Sequence, residues 1–139
     1  MSNPTDLLID GIRDHLEAVA TSPLSTCSFA IRDQATDRSF PQVRVSERGI
    51  EELHEALLGV YRATVDVTLR TNPADTTDAT HFSMADSIWN LVADDDIENS
   101  LSSVPRLKVH DVRCIGPRTE VEDDYRATTC SLSVVFHAN

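Results

Sequence analysis

The sequence runs to 139 residues and sets 12 Lys+Arg against 23 Asp+Glu, a formal net charge of −11 with a pI near 4.6. That length favours one domain, 1–139, with a real core. The acidic balance excludes a basic stripe for gripping phosphates and disfavours anionic membrane surfaces. Aromatics are 5% of the chain, so the core has to be aliphatic.

In chain order, Asp6 to Ala20 repeats Leu8, Ile9, Ile12, Leu16 and Val19 at helical spacing. Thr5 or Asp6 is placed to cap that helix, Pro23 lies beyond it, and Asp10, Arg13, Asp14 and Glu17 form its polar face. Cys27 to Ile31 alternates as a strand. After Pro41, Val43 and Val45 face one way while Gln42, Arg44 and Ser46 face the other. A hairpin joins these two runs in this reading, and Pro41 makes the second an edge strand or marks its start. Glu51 to Leu58 reads either as a helical turn or as an early resumption of strand.

Tyr61 to Arg70 is the strongest strand, with Ala63, Val65, Val67 and Leu69 opposite Thr64, Asp66, Thr68 and Arg70. A loop with Asn72, Pro73 and Asp75 leads to a helix, His81 to Ala93, whose Phe82, Ala85, Ile88, Trp89 and Val92 share a face. Trp89 suits either the core or an interface. A short helix spans Ile97 to Ser103. A strand from Leu107 to Ile115 is ended by Gly116-Pro117, and a last strand from Tyr125 to His137 turns Cys130, Leu132, Val134 and Phe136 to one side. The expected class is α+β: a mostly antiparallel four- to five-stranded sheet with two main helices packed on one face.

The chemistry-bearing patterns are incomplete. No GxGxxG, GxxxxGK or GxSxG occurs. His54-Glu55 starts like HExxH, but Leu58 stands where the second His belongs. Asp94, Asp96 and Glu98 begin like a calcium loop, but Asn99 replaces the turn glycine and Pro105 the bidentate Glu. Asp78, His81 and Asp86 could gather near a helix start, although capping and the helix dipole explain Asp78 and His81 better. His110 and Asp111 are adjacent on a strand and face opposite ways. Cys27, Cys114 and Cys130 are an odd count without CxxC spacing and read as buried, reduced thiols in an intracellular setting. The N-terminal segment lacks signal-peptide features, and no run reaches the roughly 18 apolar residues of a membrane span. No catalytic residue, metal or cofactor is expected.

The layout carries a resemblance. An amphipathic N-terminal helix precedes the Pro-introduced strand Phe40-Pro41-Gln42-Val43-Arg44-Val45. The long strand Tyr61–Thr71 is followed by an Asp/Thr loop, the helix His81–Ala93, a strand near Val109 and a C-terminal β segment. This pattern, over nearly the whole chain, resembles the tail terminator (tail completion, minor tail protein U-like) family of tailed bacteriophages. The resemblance implies a non-enzymatic ring, commonly hexameric, that caps the tail tube, stops its polymerisation and joins tail to head. It implies partners in other copies of the chain, the tail tube protein and head–tail connector proteins, with DNA passing through the lumen without specific binding. It also implies a virion location after assembly in the host cytoplasm.

Subunit or tube contacts are expected in the Arg70–Thr80 and Gly116–Asp124 loops, at Arg70, Asp75, Asp78, Arg118, Glu122 and Asp123. A six-copy ring would multiply the −11 of each chain sixfold, a repulsion that interface Arg–carboxylate pairs or salt must offset. With eleven Arg and the single Lys108, the basic set suits bidentate pairing. Other neck proteins, a small-ligand-binding α+β regulatory domain and a hydrolase built on Asp78, His81 and Asp86 are the competing readings.

Overall fold

The computed structural model describes residues 4–19, 27–31, 41–53, 60–92, 96–104, 107–121 and 126–138. Helix α1 spans Pro4–Val19, β1 Ser28–Ile31, β2 Gln42–Glu52 and β3 Val60–Thr71. Helices α2 (Asp78–Val92) and α3 (Asp96–Ser102) follow, then β4 (Leu107–Val121) and β5 (Arg126–Ala138). The strands form one sheet in the order β1-β2-β3-β5-β4. Three of its four pairings are antiparallel, and the fold is α+β.

Alternation divides the sheet into two faces. Val43 and Val45 of β2 align with Leu69 and Val67 of β3, and these align with Thr128 and Cys130 of β5. Ala63, Val65, Leu132, Val134 and Phe136 extend the same face, all of them buried. The helices supply the other half of this core. Leu8, Ile9, Ile12 and Leu16 come from α1, Met84, Ala85, Ile88 and Val92 from α2, and Ile97 and Leu101 from α3. A Cβ on Gly11 would stand 2.9 Å from Leu101 Cδ2 and 3.2 Å from Val104 Cγ2, so glycine lets α1 approach α3 closely.

Three expectations are corrected. The β1–β2 hairpin is a parallel pair, Phe29 beside Val43, and β2 lies inside the sheet with Pro41 at its start. Alternation reports which face a side chain takes and says nothing of strand direction. Gln42 and Arg44 do face away from Val43 and Val45, yet are only 2% and 8% exposed, and Arg44 Nη2 donates to Gln42 Oε1 at 3.3 Å. Gly116-Pro117 does not end β4. Both residues are absorbed in a register shift between Ile115 and Arg118, and the strand continues to Val121. On α2 the buried stripe is His81, Met84, Ala85, Ile88 and Val92, while Phe82 is 49% exposed. Trp89 is half-buried against the core.

Glu51 and Glu52 continue β2 rather than starting a helical turn. His54, Glu55, Leu58, Asp94, Asp95, Pro105, Glu122 and Asp123 lie outside the described residues. No helix among the described residues is long and apolar enough to cross a membrane.

Candidate functional site

Two polar assemblies are built on this frame, one inside the helix–sheet layer and one on the opposite face. The inner one begins at the N-terminus of α2. Asn72 turns the chain after β3, its Oδ1 accepting from Ala74 N at 2.9 Å and its carbonyl from Asp75 N and Thr76 N. Thr77 then caps the helix, Oγ1 accepting from Thr80 N at 3.2 Å. This brings His81 inward at the first turn, fully buried, between Thr71 at the end of β3 and Thr128 of β5. Nδ1 lies 2.7 Å from Thr71 Oγ1 and Nε2 lies 2.8 Å from Thr128 Oγ1, which is 2.9 Å from Thr119 Oγ1 of β4.

Loss of hydration, with the Arg126 guanidinium adding repulsion, holds the His81 pKa below its usual value; Asp78 opposes this as the lesser influence. The imidazole is therefore a neutral hydrogen-bonding pin joining three strands and a helix. Arg126, mostly buried, forms an ion pair with the exposed Asp78.

This arrangement settles the Asp78, His81 and Asp86 cluster. Both ring nitrogens of His81 are occupied, Asp78 is turned to Arg126, and Asp86 is exposed five residues along the helix. The three do not form a metal site. Among the described residues no group of three His, Cys, Asp or Glu could hold a metal ion. The thiols are free, and burial pushes those of Cys27 and Cys130 up to about 11. Cys114 is raised by the same cause, and its Sγ donates to the Val92 carbonyl at 2.8 Å. Thiols held protonated at neutral pH are poor nucleophiles.

The outer assembly occupies the sheet face turned away from the helices. A bulge between Glu47 and Gly49 leaves Arg48 without a partner position on β3 and aims it across the strands. Its Nε donates to Asp66 Oδ2 at 3.2 Å, and its Nη2 donates to Asp66 Oδ1 at 2.7 Å and Ser131 Oγ at 3.0 Å. Ser131 Oγ in turn donates to Asp66 Oδ1 at 2.7 Å. Thr68 and Thr129 hydroxyls meet at 3.0 Å one row away. Toward the other end of the sheet Arg62 pairs with Glu51 at 3.3 Å and Arg113 with Asp111 at 2.9 Å. Arg62, Asp111, Arg113, Ser133 and Val135 line an open depression of about 400 Å³.

The six expected contact residues divide between these surfaces. Arg70, half-buried between Gln42 and Ala127, and Arg118, exposed opposite Thr129, share the outer face at one end of the sheet. Asp78 is at that end on the helix side, and Asp75 is exposed in the turn between β3 and α2. The expected loops are shorter than the sequence suggested, since Arg70, Thr71 and Gly116–Val121 are strand and Asp78–Thr80 are helix. Glu122 and Asp123 fall outside the described residues. The sequence reading missed Arg48 and Ser131. Glycine at Gly49, inside an alternating run, is the signal of a bulge that could have drawn attention to Arg48. No protein-family model matches the chain, and no curated protein matches it.

Proposed function

We propose that this chain is a non-enzymatic structural subunit of a virion, resembling a tail terminator, which assembles as a ring on the tail tube, stops its growth and joins tail to head. The observation that carries the reading is the helix-free face of the sheet, where Arg48, Asp66 and Ser131 are fixed by mutual hydrogen bonds across β2, β3 and β5. Preordered polar side chains on a broad β surface lose little conformational freedom on contact and suit a wet, polar subunit interface. The buried, neutral His81 and the protonated thiols serve the scaffold rather than chemistry. A net charge of −11 suits a conduit that DNA traverses without adhering.

Electron microscopy of virions lacking the chain tests this. Tails of uncontrolled length and heads without tails are the expected result. Tails of normal length on heads that leak DNA would transfer the assignment to another neck protein, and particles indistinguishable from wild type would overturn the virion reading.

A further inference from the structure

Among the described residues, charge is sorted by layer. The three helices carry eight acidic residues and one basic residue, Arg13. The outer sheet face reverses the balance. Its register positions hold six exposed or half-buried basic residues, from Arg48 and Arg62 through Arg70 to Lys108, Arg113 and Arg118. Among the described residues, Glu51, Asp66, Asp111 and Glu120 oppose them there. A chain of net charge −11 thus presents a surface with a basic surplus.

Each layer also exposes an apolar spot, Phe82 at 49% on α2 and Ile115 at 51% on the outer face of β4. On the outer side of α1, Arg13, Asp14, Glu17 and Ala18 line an open depression of about 530 Å³.

We infer that the outer sheet face of one copy docks on the acidic helix layer of the next copy. This specifies the subunit contact of the ring and rests on the self-association in that reading. The two surfaces are complementary in sign, and each offers an apolar residue inside a charged surround, the arrangement of an interface hot spot with its polar rim. The exposed Arg62 and Arg113 offer donors to helix carboxylates such as Asp10 and Asp14 of the next copy, and each Arg fork can donate two parallel hydrogen bonds to one carboxylate. Because the two faces differ, the contact is head-to-tail; a ring forms where the repeated rotation closes on itself, and an open filament where it does not. Like faces repel, helix layer against helix layer above all, so a two-fold dimer through either face is disfavoured.

Sedimentation velocity on two charge-reversed chains, alone and mixed, tests the pairing. One chain carries Asp10→Arg and Asp14→Arg, the other Arg62→Glu and Arg113→Glu. Each alone is expected to lose association by about tenfold or more relative to wild type, since the reversed side chains then meet like charges at the contact. An equimolar mixture restores association, because each reversed face meets an opposite one. Recovery on mixing also shows that both variants are folded.

If the wild type self-associates and neither reversal weakens it, or if the mixture fails to recover, the contact is wrong while the ring reading stands. A wild type that remains a single copy under all conditions overturns the self-association itself. Binding of duplex DNA that is lost with Arg62→Glu and Arg113→Glu, without self-association, would identify nucleic acid as the occupant of the sheet face and overturn the inference.

Discussion

His81 couples solution pH to the stability of the whole frame. Its folded pKa lies below the ordinary value near 6.5, so the unfolded chain takes up a proton that the folded chain refuses. Stability contributed by the neutral ring is present above about pH 6.5 and declines as pH falls below that value. The decline is about 1.4 kcal/mol per unit until the folded pKa is reached. Thermal melts of wild type and His81→Ala between pH 7.5 and 5 check the sign. The variant should lose about 2 to 3 kcal/mol at pH 7.5, with Thr71 and Thr128 each deprived of the ring as a partner and a cavity left in its place, and should show a flatter pH dependence.

On the outer face Asp66→Ala removes the acceptor of both Arg48 and Ser131. Because Arg48 is 46% exposed, the expected cost by denaturant melt is only about 1 kcal/mol. Its ion pair with Asp66 and the buried histidine were hidden in the sequence for the same reason. A hydrogen bond between residues 18 or 47 positions apart leaves no local period to read.

At the scale of elements, faces were legible and directions were not. The inward sets Ala63–Leu69 and Cys130–Phe136 follow from alternation, and the α1 stripe follows from helical spacing. The α2 face is rotated because hydrophobicity favours burying Phe82, whereas Thr71 and Thr128 provide two hydrogen bonds that make His81 the better interior residue. Strand β4 outlasts Gly116-Pro117 because it is an edge strand, where a proline placed in a bulge spares the ladder. The approach of α1 to α3 makes a distinct prediction. Gly11→Leu must displace Leu101 and Val104 from a filled contact, and chemical denaturation should show a loss of about 2 to 3 kcal/mol despite the better helix propensity of Leu.

For the whole molecule, net charge alone suggested mutual repulsion that salt should relieve. Sorting of that charge into an acidic helix layer and a basic-leaning sheet face reverses the expectation. Attraction between unlike faces is screened within a Debye length of about 10 Å at 0.1 M salt, so association should weaken as ionic strength rises. Neither layer's sign could be read from composition, because the eight helix acids and the basic sheet residues interleave along the chain and separate only when the strands align.

Sedimentation equilibrium of the purified chain over a range of concentration and salt tests the central claim, that this is a self-assembling structural subunit, most directly. At low salt it should show one discrete species whose mass is an integer multiple of 15.4 kDa, dissociating as salt is raised. A single 15.4 kDa species at every concentration and ionic strength would contradict the account.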